Sequence, residues 1–387
     1  MAFYDGNGKK INLDEPMKVN VYGLPTVYVT CPDAGENMDV LADGAKHDIT
    51  IKYVDGEKKF ELYGSCKKQG NFTSTGTKKN INVTLYNDKA RTQKQKIAFN
   101  GWYPHSKFHI KGNRSDYSMV RNSVITRIAR EFCGGLALPN GAMGYIDSFP
   151  VILYWNDVWY GCYTWNLSQD EKTFNFDDDN GNHMAFRYES DWQTVDGWEF
   201  RGDEDCYTDA MKTTFAALIA KMVDADSLTR EIVEANFDVN SLLAYIAFLQ
   251  IGHMNDSTAN NWTLATWDGV LWYHIFYDCD IGFGFFNGGA FPTSGALAMN
   301  TFHEKVAALF PDELKAVYAE MRNAGLTADR IADDLFAYQR KWGWQNLQKE
   351  YAKWEDDKPF KAGLDNVRAD MTARIAWCDT HFGYTAA

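Results

Sequence analysis

The residues best suited to chemistry fall in two short runs. One is His253-Met254-Asn255-Asp256-Ser257-Thr258-Ala259-Asn260-Asn261, and the other is Tyr277-Asp278-Cys279-Asp280-Ile281-Gly282-Phe283-Gly284. Phosphoryl transfer asks for a carboxylate near the attacking hydroxyl and for oxygen ligands on the divalent cation that bridges the phosphates. Asp256 suits the first role, as the catalytic residue. Asn261, five residues on, and Asp280 suit the second. Asp278 shares a face with Asp280 if the backbone there is extended, because side chains alternate along a strand. Each run alone is ordinary, since Asn and Asp gather in turns to hydrogen-bond locally. Their order and spacing together point to metal-dependent phosphoryl transfer. His253 is read either as part of the same loop or as a core histidine ending an apolar helix.

Two elements must hold these runs. Residues 240–253 are apolar almost all round and predict a buried helix. Residues 262–267 and 270–276 flank Asp268-Gly269 and predict a hairpin. Upstream, alternation predicts strands at Val19–Tyr22, Val27–Val29 and His47–Val54, with a turn at Asp55-Gly56. Lys67 to Tyr86 reads as strand, Gly-rich polar loop, strand, with Ile81, Val83 and Leu85 on one face. A helix is expected over 118–132, stopping at Gly134-Gly135. Strands follow at 145–146, 151–155 and 159–165, then a polar stretch of loop and short strands over 166–206. Helices are expected over 208–224, 227–236 and from 303 onward, with one long charged helix at 327–355. The implied organisation is a β-rich leader (1–45), a β-rich part with one helix (46–206) and a helical part carrying both runs (207–387). The fold class is α+β.

Composition narrows the function. The 387 residues are 45% hydrophobic, ample for a core, and the net charge of −13 argues against general nucleic-acid binding. The start MAFYDGNGKKI has no apolar signal-peptide region, and no stretch is long and apolar enough to span a membrane. A cytoplasmic or virion protein is expected, without membrane partners. The seven cysteines are scattered and form no C-x-x-C, so reduced, mostly buried thiols are expected. Gly6–Lys10 is too short for a phosphate-binding P-loop, and Asp177–Gly181 is off the calcium-loop register. The 13 tryptophans suggest either core packing or a carbohydrate platform.

Several motifs, in order, resemble the spore coat protein H (CotH) family of atypical, protein-kinase-like domains. Asn255-Asp256 with Asn260-Asn261, then a hairpin, then Asp278-Cys279-Asp280-Ile281-Gly282-Phe283-Gly284, is similar to the family's N-x-D-x4-N loop and its D-x-D segment. Phe276-Tyr277 stands where Pro-Trp is common. Lys67–Ser74 with Lys78-Lys79-Asn80 resembles the family's Gly-rich run and following K-K-N/S. Ile110-Lys111-Gly112, Asp116, Ser118 and Arg121-Asn122 resemble a further block, and Gly161-Cys162-Tyr163 a G-x-Y strand.

The resemblance implies a bilobal kinase-like fold, a β-rich N-lobe and helical C-lobe, with ATP and Mg²⁺ or Mn²⁺ held between them. It implies transfer to Ser or Thr hydroxyls of a protein substrate that the sequence does not identify. ATP contacts would come from Gly70, Asn71, Thr73, Ser74, Asp116, Asn122 and a phosphate lysine, Lys79 or Lys111. Asp116 or Ser118 is otherwise a helix cap, and Arg121 otherwise an ion-pair partner. The acid that pairs the lysine is not named by the sequence. Trp165-Asn166 replaces the family's Thr-Glu, and Glu131 is the only acid in the 118–132 helix, at its end. The family also has phage-encoded members, which implies the alternative of a non-catalytic structural or attachment protein, with other virion or coat proteins as partners.

Overall fold

The computed structural model describes residues 16–70, 78–224, 226–286, 289–354 and 363–385. Asn71, Thr73, Ser74 and Gly6–Lys10 lie outside the described residues. The architecture is α+β, and the chain forms two compact units.

The first unit takes residues up to 119, 147–168 and 337–361. Its centre is a closed seven-stranded barrel in the order β2 (Thr26–Thr30), β3 (His47–Asp55), β4 (Lys58–Gln69), β5 (Asn80–Tyr86), β7 (Lys107–Lys111), β9 (Val158–Leu167) and β8 (Ser148–Trp155). Closure leaves no unpaired edge strand. β1 (Met17–Val19) and β6 (Ile97–Phe99) pair in parallel beside it. Strand β2, from the segment read as a leader, pairs with β3 and β8 and is a stave of the barrel. Alternation decides what faces inward. Ile49, Ile51, Tyr53, Ile81, Val83 and Leu85 are almost fully buried. Phe99, Phe108, Phe149 and Trp165 fill the interior with ring contacts of 5.2–6.4 Å.

The long helix expected at 327–355 is two helices, α8 (Ala328–Arg340) and α9 (Trp344–Lys353). Gly343 adopts φ 74°, which few other residues accept, and opens α9. Just before it, fully buried Trp342 donates its indole N–H to the carbonyls of Val151 and Tyr163 at 3.2 Å. That anchor depends on two distant strands and leaves no trace in helical periodicity.

The second unit takes 120–146, 169–336 and 362–387. It holds α1 (Arg121–Phe132), α2 (Asp209–Val223), α3 (Arg230–Asn236), α4 (Val239–Gly252), α5 (Asp256–Ala259), α6 (Thr301–Leu309), α7 (Pro311–Asn323) and α10 (Val367–Phe382). Its sheet runs β11 (Trp198–Phe200), β10 (Met184–Tyr188), β12 (Trp262–Thr266), β13 (Tyr273–Phe276). The polar 166–206 stretch therefore supplies two strands. Tyr145-Ile146 is not a strand. α1 begins at Arg121 rather than 118 because Met119 sits at φ 63°. As the apolar run predicts, α4 is buried from Ser241 to Gly252, packed by β13, α6, α7 and α10.

Nine tryptophans are buried, at 102, 155, 165, 198, 262, 267, 272, 342 and 354, so core packing accounts for most of the 13. All seven cysteines are free thiols, and six are buried. Among the described residues, no helix is long and apolar enough to cross a membrane.

Candidate active site

The second unit builds its site at the end of α4. Asp238 caps the start of that helix, accepting the Ser241 N–H at 2.7 Å, and His253 ends it in the left-handed region at φ 47°. Arg374 of α10, fully buried, donates Nε (2.8 Å) and Nη2 (2.5 Å) to the Gln250 carbonyl and Nη1 to the Gly295 carbonyl (2.6 Å). A cation on the last turn opposes the negative end of the helix dipole. His253 packs edge-on against Phe286 and Phe291, and burial holds its imidazole below the usual pKa. It is half-buried, so it is not a plain core histidine.

Asp256 opens the one-turn helix α5. Asn261 Nδ2 donates to one of its carboxylate oxygens at 2.5 Å and Asn260 Nδ2 to the other at 3.4 Å. Burial pushes the Asp256 carboxyl above its ordinary value and the Asp278 charge adds to this, against the two amide donors. The sequence-predicted residues Asp256, Asn261 and Asp278 are thus brought together. Asn261 spends its N–H on Asp256, and its side-chain oxygen makes no hydrogen bond among the described residues.

Asn122 on α1 holds the second run. Its amide donates to the Asp278 carboxylate and accepts the Cys279 N–H at 3.2 Å. Both ends of the buried amide are therefore engaged by the Asp278–Gly284 segment. Arg121 donates to the carbonyls of Phe283 (3.2 Å) and Gly363 (2.9 Å) and stacks on Phe285 at 5.2 Å. Asp278, Gly282, Phe283 and Gly284 all have positive φ. A Cβ on Gly282 would lie 2.8 Å from the Gly252 carbonyl, and the Phe283 N–H bonds that same carbonyl at 2.8 Å. The glycines at 252 and 282 let the Asp278–Gly284 segment lock onto the end of α4. Asp280 follows two residues after Asp278, half-buried.

Two carboxylates and an amide oxygen fit Mg²⁺ or Mn²⁺, which keep water and phosphate oxygens for their remaining positions. They make no closed cage. Among the described residues no group of three or more His, Cys, Asp or Glu converges on one point.

The first unit holds a different feature. Lys78 Nζ meets Glu350 Oε1 of α9 at 2.5 Å, and both side chains are fully buried. Lys78 also donates to the Cys162 carbonyl at 2.9 Å and lies 4.9 Å from the Tyr163 ring centre. The other Glu350 oxygen accepts the Cys162 N–H at 2.7 Å. Burial raises the Glu350 carboxyl, while Lys78 and the Cys162 N–H favour its charge. Gly161, at φ 147°, explains the G-x-Y strand, since a Cβ there would lie 2.4 Å from Glu350. Sequence reading missed both members of this pair. Lys78 was visible in Lys78-Lys79-Asn80. Glu350 is 272 residues away, and only the tight Gly161 backbone hinted at a neighbour.

Lys79 and Lys111 are also buried in this unit. Asn80 accepts the Gly112 N–H at 2.7 Å, beside Lys111. Asp116 accepts the N–H of Ser118 at 2.9 Å and its hydroxyl at 2.7–2.8 Å, a local turn, while α1 starts after Val120 with no side-chain cap, so neither Asp116 nor Ser118 caps the helix. Gly70, exposed at φ 83°, ends β4.

Among curated proteins, none matches this chain. The family model for the CotH kinase protein matches residues 67–377. That stretch takes in the Lys78–Glu350 pair, Asn122, the Asp256–Asn261 loop and the Asp278–Gly284 segment, and the chain belongs to the CotH kinase family.

Proposed function

We propose that this chain is an atypical kinase that transfers the terminal phosphoryl group of ATP, with Mg²⁺ or Mn²⁺, to Ser or Thr hydroxyls of a protein. The observation that carries this reading is the convergence of Asp256, Asn261 and Asp278 from two separate runs. Asp256 orients the acceptor hydroxyl and takes its proton, and the raised carboxyl pKa makes it a better base than a solvated aspartate. Asn261 fixes the rotation of that carboxylate. Asn261, Asp278 and Asp280 offer the oxygens for the cation, which when bound neutralises charge on the phosphate oxygens.

Lys78 has a carboxylate partner of the kind that phosphate lysines use, and we assign it, ahead of Lys79 or Lys111, to the ATP phosphates. Left-handed backbone at His253, Asn261, Asp278 and Phe283 supports the same assignment of the site, because strain of this kind gathers at functional sites. Asn122 acts here through Asp278 rather than on the nucleotide. The rival reading is a non-catalytic virion or attachment protein, which loss of a lysine–glutamate pair would fit; Lys78 and Glu350 form such a pair.

Calorimetry of ATP with Mg²⁺ or Mn²⁺, on wild type and Asp280→Ala, tests the proposal. Saturable, metal-dependent binding lost in the variant is expected, followed by labelled phosphate on Ser or Thr of a substrate protein. Folded wild-type protein that binds no ATP with either metal would overturn it.

A further inference from the structure

Tyr277 stands between the two halves of the site just described. Its backbone N–H bonds the Asn261 carbonyl at 3.0 Å, and the next residue is Asp278. At Asp278 the chain leaves the extended conformation of β13 for φ 52°. A left-handed residue persists only where its surroundings over-determine it. On one side Asn122 supplies that restraint, through the Asp278 carboxylate and the Cys279 N–H.

On the other side is Arg187 of β10. Its guanidinium lies 4.1 Å from the centre of the Tyr277 ring. Two carboxylates fix the guanidinium. Glu189 accepts from Nε at 2.8 Å, and Glu199 meets Nη2 at 2.5 Å. Glu199 is itself shared with Arg201 at 2.9 Å. The Arg187 side chain is 11% exposed. A cation held over an aromatic ring and shielded from water is attracted well beyond simple contact. The positive charges here are already matched by Glu189 and Glu199, so the pair is poorly suited to capturing an anion and well suited to holding a ring.

We propose that Arg187 is a positioning residue for the metal segment, acting through the Tyr277 ring to keep Asp278 turned toward Asp256 and Asn261. This rests on the functional reading above for its consequence, and on geometry alone for the restraint.

The test compares Arg187→Met, Tyr277→Leu and Tyr277→Trp in the full chain. The first readout is amide hydrogen exchange over residues 276–284 in metal-free protein. The second is Mn²⁺-dependent ATP affinity by calorimetry. Arg187→Met and Tyr277→Leu are expected to speed exchange in that peptide and weaken Mn²⁺–ATP binding, each by about tenfold. Tyr277→Trp should leave both near wild type. Should Arg187→Met fail to fold, Tyr277→Leu carries the test, because the backbone bond to Asn261 survives it. Exchange and binding both unchanged in Tyr277→Leu would overturn the inference, as would Tyr277→Trp behaving like Tyr277→Leu. Faster exchange in a protein whose wild type binds no Mn²⁺–ATP would uphold the positioning role and sink the kinase reading.

Discussion

The Lys78–Glu350 pair and the Asp256–Asn261–Asp278 cluster handle charge in opposite ways. The pair is sealed: one ion pair, no exposure, with the Cys162 backbone bonding both partners. The cluster is half-buried and carries like charges close together, relieved by amide donors. Each charge of the sealed pair is matched inside the fold, and loss of one partner strands a charge in the core. A cluster of like charges keeps negative charge that the fold itself does not fully offset. The contrast separates charges that are matched inside the fold from charges that are not.

Several experiments would break or sharpen that contrast. The largest effect is expected at Asp256. Asp256→Asn should lower phosphoryl transfer by roughly 10²–10⁴-fold, the usual contribution of a general base. Its stability should match or exceed wild type at neutral pH, because ionised Asp256 is held against burial and Asp278. The sign follows from the raised carboxyl: its cost vanishes below the unfolded value and is full above the folded one. A clear loss of stability in denaturant melts would show that the cluster behaves as a sealed pair after all.

Lys78→Met should do the reverse. Stranding Glu350 should cost about 3–5 kcal/mol in denaturant unfolding, while Lys78→Met combined with Glu350→Leu should recover most of it. Equal losses in the single and double variants would mean that packing, not charge pairing, holds that corner.

Gly161→Ala sharpens the same point without touching a charge. The added methyl meets Glu350 and the backbone is in a region that favours glycine, so a loss of about 2 kcal/mol is expected. An alanine variant as stable as wild type would show that α9 shifts freely on β9.

The smallest effect concerns two buried histidines, His274 and His303. His274 and His303 lie 5.5 Å apart among Tyr245, Trp262 and Phe302, and burial pushes His303 down to about 3. Such a base takes up protons more readily when unfolded, so the stability it contributes is full above about 6.5 and is lost as pH falls toward its folded value. His303→Phe should therefore unfold less steeply with acid, gaining about 2 kcal/mol relative to wild type at pH 5 over its difference at pH 8. An unchanged pH slope in urea melts would mean that the ring titrates as if exposed.

Much of the second unit's site was legible in the sequence because its logic is local. Asp256 and Asn261 are neighbours on one short loop, the hairpin is marked by Asp268-Gly269, and α4 announces itself by being apolar all round. Asn122 is a site residue that the sequence names, but its partners Asp278 and Cys279 lie 156 and 157 residues away, and no local spacing could reveal them. The break at Gly343 is hidden for a related reason: the residues around it keep helical periodicity, and the anchor that bends the chain, Trp342 on Val151 and Tyr163, belongs to distant strands.

The sequence by itself determined most of the barrel strands, the buried helix and the residue types of the two polar runs, because alternation, apolar periodicity and turn chemistry act over a few residues, while Tyr145-Ile146 and residues 20–22 are not strands. Only the tertiary structure decided which lysine meets which glutamate, that β2 closes a barrel, that Asn122 bonds Asp278 and Cys279, and that Arg187 lies over Tyr277. These choices depend on burial and on contacts between residues far apart in the chain. A buried charge must find its partner wherever the fold brings one within reach.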